Sequence, residues 1–155
     1  MTNSETIFIA DHQGMLEFGR ALASRLERGD VVLLHGDLGA GKTTLTQGVA
    51  AGLGVQDPIQ SPTFSLIAEH PAVDRNGEPV RLYHLDLYRL EDAEELEGIG
   101  YDQFISPEDA ISVIEWPERA GDWLPERFWL LRIVHRRDGG RLIEQSLHSP
   151  DGGSA

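Results

Sequence analysis

The chain has 155 residues, 40% of them apolar and 25% charged, with a formal net charge of −13 and no cysteine. That is enough apolar material for one packed domain, and the missing cysteines exclude disulfides, thiolate metal sites and cysteine nucleophiles. So acidic a chain repels a polyanion on average, which argues against broad electrostatic binding to nucleic acid.

No apolar run reaches the length of about eighteen residues that a membrane span needs. Residues Met1–Gln13 lack the basic start and long apolar stretch of a secretory signal, so a cytoplasmic protein is expected. Residues 1–149 are expected to form one domain, and the Gly/Ser-rich residues 150–155 a disordered tail.

Thr6–Ala10 reads as a short strand. Asp11 follows as an N-cap, with Met15, Phe18, Leu22 and Leu26 at helical spacing and Gly29 as the stop. Val31–His35 is a short apolar run suited to a buried strand. A glycine-rich loop comes next, then a helix over Lys42–Leu53 with Leu45, Val49 and Leu53 on one face and Gly54 at its end. Phe64–Glu69 reads as a strand, Asn76-Gly77 as a turn and Val80–Leu87 as the returning strand. A short helix is expected at Ala93–Glu97, a strand at Ala110–Glu115 and a short helix at Pro117–Trp123. Phe128–His135 and Arg141–Leu147, joined through Asp138-Gly139-Gly140, read as a terminal hairpin. Arg132, Arg136, Arg137 and Arg141 make this segment locally basic and the best candidate for a nucleic-acid patch, with a solvated hairpin as the simpler reading. Parallel-type and hairpin-type connections together predict a three-layer α/β fold with a mixed sheet.

Gly36-Asp37-Leu38-Gly39-Ala40-Gly41-Lys42-Thr43 fits the pattern G-x₄-G-K-[ST], placed as its chemistry requires between a buried strand and an amphipathic helix. The glycines let backbone N–H groups turn inward, and the new helix presents unpaired N–H groups and its positive end to an anion. Lys42 would neutralise β- and γ-phosphates, and the Thr43 hydroxyl would ligate Mg²⁺. Of the 13 basic residues only Lys42 is a lysine. Arg is a planar fork and Lys a compact charge on a thin stem, so the one lysine falls where a compact ammonium is needed.

Mg²⁺ also needs a carboxylate, direct or through water. Two acids end apolar strands, Asp86 after Tyr83-His84-Leu85 and Glu115 after Ile111-Ser112-Val113-Ile114, and pattern alone does not choose between them. His84 and Asp86 are two apart on a strand and share a face. No other metal-spaced histidine accompanies His84, which argues against a transition-metal site. Thr63, about twenty residues beyond Thr43, has the placement of a switch threonine that senses the γ-phosphate. A guanine-reading Asn/Thr-Lys-x-Asp motif is impossible when the sole lysine is already in the loop, so ATP is favoured. A small-molecule kinase and a nucleotide-gated binding module are the alternatives. No resident arginine finger stands out, although Arg89 or Arg119 could serve, so a slow, partner-stimulated ATPase is expected.

Together with the loop, Ser61-Pro62-Thr63-Phe64, His84-Leu85-Asp86-Leu87-Tyr88-Arg89, Glu94-Glu95-Leu96 and Ile114-Glu115-Trp116-Pro117 resemble in order and spacing the TsaE (YjeE) family, the bacterial P-loop ATPases of tRNA threonylcarbamoyladenosine synthesis. The resemblance covers roughly residues 5 to 145. It implies ATP hydrolysis with Mg²⁺, alongside the protein partners TsaB and TsaD. The modification goes to adenosine 37 of tRNAs reading codons that begin with A, the tRNA being reached through that complex. It further implies that Thr43 and Glu115 are metal ligands and that Asp86 is a Walker-B-type acid acting on metal or water. Thr63 would lie in a switch-like loop, and Lys42, Asp86, Glu115 and Thr63 would be the catalytic set. Residues 36–43 with Thr44, Trp116 and Arg141 would contact the nucleotide.

Overall fold

In a computed structural model the described residues are 3–37, 39–59, 66–92 and 94–150. Among these residues seven strands form one sheet in the order β1-β7-β6-β2-β5-β4-β3. They are β1 (Asn3–Ile9), β2 (Val31–Gly36), β3 (Ile67–Val73), β4 (Pro79–Asp86), β5 (Ala110–Glu115), β6 (Phe128–His135) and β7 (Arg141–His148). β6, β2, β5 and β4 run parallel, while β7, β1 and β3 attach antiparallel at the two sides. Helices α1 (His12–Ala23) and α2 (Lys42–Gly52) lie against one face. The short helices α3 (Glu95–Gly98) and α4 (Asp102–Ile105) and a 3₁₀ turn at Pro117–Ala120 lie on the other. The mixed sheet and three layers agree with the fold class expected from sequence.

The central strands are apolar on both faces because both are covered. All six residues of β5 are buried, the signature of a strand sandwiched between helical layers. Val32, Leu34, Ile111 and Val113 pack toward α1 and α2. Val31, Leu33, Leu85 and Ile114 pack toward the opposite layer, around Leu96, Tyr101 and Phe104.

α1 begins where Asp11 was expected to cap it, with Asp11 Oδ1 accepting the Gly14 amide at 2.8 Å. It ends at Ala23 rather than running to Gly29. Leu26 is nevertheless fully buried, so its apolar character reports the core and not helical periodicity. The α1–α2 contact rests on glycines. A Cβ on Gly48 would sit 2.3 Å from the Leu16 carbonyl oxygen, and one on Gly19 would sit 2.4 Å from that of Leu45. The two backbones therefore approach more closely than any side chain allows, which seats α2 against the sheet.

The turn at Asn76-Gly77 forms, organised by Asp74, whose Oδ1 accepts the Asn76 and Glu78 amides at 2.9 and 3.0 Å. β3 runs later than the strand expected at Phe64–Glu69, and Phe64 itself lies outside the described residues, as do Ala93 and the tail at 151–155. α4 has no counterpart in the sequence reading. The C-terminal hairpin forms, but it is not a solvated appendage. β6 pairs with β2 from Val32↔Trp129 to Gly36↔Ile133, and β7 then pairs with β1. The hairpin thus completes the sheet beside the glycine-rich loop.

Candidate functional site

The loop leaves the carboxyl end of β2, where ligands bind in open α/β sheets. Gly41 caps α2 with φ 112° and ψ 16°, a left-handed conformation that a side chain would strain. α2 starts immediately at Lys42, so its first unpaired amides face the loop.

Lys42 is 5% exposed. Its ammonium donates to the Gly36 carbonyl and, at 3.5 Å, to that of Asp37. It also lies 3.6 Å from the centroid of the Trp116 ring, within cation–π range. Burial pushes the Lys42 ammonium below the usual lysine value, opposed by the negative charges of Glu115, Glu118, Asp86 and Asp37. A buried cation near acids and held, among the described residues, by two carbonyls and a ring is suited to receive a further anionic partner.

Asp86 and Glu115 are register partners at the carboxyl ends of the parallel strands β4 and β5. Asp86 Oδ1 accepts the Tyr88 amide at 3.0 Å. Glu115 is 3% exposed, and its Oε2 lies 2.6 Å from His84 Nε2. Both acids line a cavity of about 270 Å³ with Gly39, Gly41, Lys42, Thr43, Thr44, Tyr88 and Trp116. Trp116 has φ 59°, the one non-glycine residue with positive φ among the described residues. Its amide donates to the Leu34 carbonyl at 3.3 Å. This sharp turn after β5 places the indole over Lys42, against Tyr88 at 5.0 Å between ring centroids. The Arg119 guanidinium lies over the Tyr88 ring, 5.7 Å from its centroid.

A second cavity of about 270 Å³ opens on the opposite flank of the loop. Its walls are Ile9–His12, Met15, Gly39–Gly41, Thr44, Gly140 and Arg141. Arg141 Nε donates to the Ala40 carbonyl at 3.1 Å and Nη2 to that of Gly39 at 3.3 Å. The guanidinium clamps the outside of the loop to β7.

The structure therefore gathers Gly36, Asp37, Gly39, Ala40, Gly41, Lys42, Thr43, Thr44, Asp86, Glu115, Trp116 and Arg141 around one loop. Leu38 and Thr63 fall outside the described residues. Sequence reasoning did not bring in Ile9–Met15 or Tyr88 as cavity walls, nor His84 as a partner of Glu115. The first is 130 residues from Arg141 or thereabouts in sequence, and only the β1–β7 pairing joins them. For His84 the signal was present, since it shares a face with Asp86, but its partner lies on another strand. Among the described residues no three His, Cys, Asp or Glu side chains cluster as a metal site.

A mixed sheet with such a loop between β2 and α2 defines a P-loop NTPase fold. The model of the family described as "Threonylcarbamoyl adenosine biosynthesis protein TsaE" matches residues 9–143. The chain belongs to that family. It is 42% identical over 146 residues to the tRNA threonylcarbamoyladenosine biosynthesis protein TsaE of Haemophilus influenzae, covering 91% of this chain and 88% of that one. The protein of the same name from Streptomyces coelicolor is 44% identical over 120 residues, covering 77% of this chain and 78% of the relative. The crystal structure of Bacillus subtilis YdiB superimposes with a TM-score of 0.78 at 27% identity, covering 98% of this chain and 90% of that one.

Proposed function

We propose that this chain binds ATP with Mg²⁺ and hydrolyses it to ADP and phosphate in the service of tRNA threonylcarbamoylation, acting with TsaB and TsaD and reaching tRNA through them. The observation that carries the reading is Lys42, the sole lysine, buried at the mouth of an anion-binding loop with two strand-end carboxylates beside it.

The donor set fits a nucleotide-bound Mg²⁺ better than a metal held by protein alone. Thr43 contributes a hydroxyl, Asp86 and Glu115 contribute carboxylates, and there is no third clustered ligand among the described residues. Mg²⁺ keeps water and phosphate oxygens in its shell and needs only one or two carboxylates. Bound there, it would neutralise charge on the phosphates. The Lys42 ammonium would exchange the neutral carbonyls of Gly36 and Asp37 for charged phosphate oxygens, a stronger bond. Thr43 and Glu115 would hold the metal, and the Asp86 carboxylate would orient the attacking water. The flank between Ile9–Met15 and Arg141 has the mixed apolar and polar lining that suits a base. No helix among the described residues is long and apolar enough to cross a membrane.

The test is ATP turnover by the purified chain, alone and with TsaB and TsaD, scored as free phosphate. Slow turnover alone and stimulation by the partners is the expected result, with stimulation of up to about 10³–10⁵-fold if charge is supplied in trans. ATP binding without phosphate release in either condition would leave a passive binder. Phosphate moved onto a small acceptor would mean a kinase.

A further inference from the structure

His84 is completely buried in β4, yet it is polar on both edges of its ring. One edge is satisfied, Nε2 lying 2.6 Å from Glu115 Oε2. At the other, Nδ1 is buried with no hydrogen-bond partner among the described residues. Nε2 is therefore the ring nitrogen through which the imidazole can donate, with the Glu115 carboxylate as its acceptor.

The consequence lies at Glu115. Its neighbour across the sheet is Asp86, so two carboxylates stand side by side at the edge of the cleft. Each has one oxygen engaged by a donor of the protein: Oδ1 of Asp86 by the Tyr88 amide, Oε2 of Glu115 by His84. Oε1 of Glu115 and Oδ2 of Asp86 are then the oxygens left for the cleft that both residues line.

We propose that His84 is a positioning residue, whose Nε2–H fixes the rotamer of the Glu115 carboxylate so that Oε1 alone is presented to a nucleotide-bound divalent cation. This rests on the nucleotide reading above. It adds that the metal affinity of the complex depends on a buried group that touches neither metal nor nucleotide. Hydrogen-bonded partners behind a metal ligand typically carry about 10–100-fold of metal affinity. Glutamine can place an amide N–H near the position of Nε2, whereas leucine fills similar space with no donor.

The experiment is calorimetric titration of ADP into the wild-type chain and the variants His84→Gln and His84→Leu, with EDTA and across a series of Mg²⁺ concentrations. In the leucine variant the Mg²⁺ concentration needed for half of the Mg²⁺-dependent gain in ADP affinity should rise about 10–100-fold. Metal-free ADP affinity should stay at its wild-type value, and the glutamine variant should restore most of the Mg²⁺ response. A folded leucine variant with wild-type Mg²⁺ dependence overturns the positioning role, as does a glutamine variant as impaired as leucine. If His84→Leu does not fold, ¹⁵N spectra of the wild-type imidazole decide. An Nε2 that carries its proton against the carboxylate supports the proposal, and a pyridine-type Nε2 overturns it. Wild-type protein that binds no ADP at all would instead remove the nucleotide reading, and this one with it.

Discussion

The two flanks of the glycine-rich loop are built by different physics. On the side of β4 and β5 the cavity is walled by charged side chains, Lys42 and Glu115 buried and Asp86 half-buried, with Trp116 over the ammonium. On the side of β1 and β7 it is walled by backbone, apolar groups and one guanidinium that grips loop carbonyls from outside. The first flank holds strong charge–charge terms that need a specific partner to balance them. The second is a shape, held open by strand pairing between the chain's two ends. In the function proposed above, chemistry falls to one flank and recognition of the rest of the nucleotide to the other, with the loop backbone common to both.

The largest expected effect comes from removing the charged flank's cation. Lys42→Ala should lower turnover by at least about 10²–10³-fold, the scale for losing one preorganised donor to developing charge. Lys42→Arg should also be impaired, because the guanidinium is too wide for the space between the Gly36 carbonyl and the Trp116 ring. Steady-state phosphate release measures both, and a fully active arginine variant would contradict the role given to a compact ammonium.

Gly48→Ala should disturb both flanks together. The added methyl meets the Leu16 carbonyl oxygen at 2.3 Å and pushes α2, which carries the loop, away from α1. Overpacking of this kind costs about 1–3 kcal/mol. For a chain of this length that lowers the melting temperature by several degrees, roughly 2–4 °C per kcal/mol. An unchanged melting temperature would show that the glycine contact does not seat the helix.

How much of this was legible beforehand follows from sequence separation. The loop, the Asp11 cap, the Asn76-Gly77 turn and the largely apolar β5 are local patterns, and each appears where the residues indicated. The acids Asp86 and Glu115 were recognisable as strand ends, but their pairing across β4 and β5 was not, because register is a property of two strands. The same holds for His84 and Glu115, 31 residues apart. The hairpin was visible as a hairpin, while its insertion beside β2 was not, since nothing in Phe128–His135 names a strand 96 or so residues earlier. Leu26 misled because burial and helical periodicity write the same apolar letter.

Arg141→Ala separates the flanks. It removes two bonds to loop carbonyls and should weaken ADP binding by about 1–2 kcal/mol, roughly tenfold. The ratio of affinities with and without Mg²⁺ should not move, because the proposed metal site lies on the other flank. Calorimetry on the same variant checks both statements, and a changed Mg²⁺ ratio would mean that the flanks are not independent.

The last effect lies away from both flanks and shows only at high pH. Burial pushes the Tyr101 hydroxyl up to about 12. Its folded value lies above the ordinary one of about 10, so the unfolded chain loses this proton first. The stabilisation is complete below that ordinary value and is lost as pH rises through the folded one. Between roughly pH 10 and 12 the wild-type chain should therefore lose up to about 2–3 kcal/mol relative to Tyr101→Phe. Urea unfolding across that window measures it, and parallel pH profiles would refute the assignment.

The most direct test of the account is a crystal structure of the chain with Mg²⁺ and a non-hydrolysable ATP analogue. The phosphates should lie in the loop from Gly36 to Thr43, with the Lys42 ammonium drawn off the Gly36 carbonyl onto them and the base against Met15 and Arg141. A polyphosphate bound elsewhere, with Lys42 still on its carbonyls beneath Trp116, would contradict it.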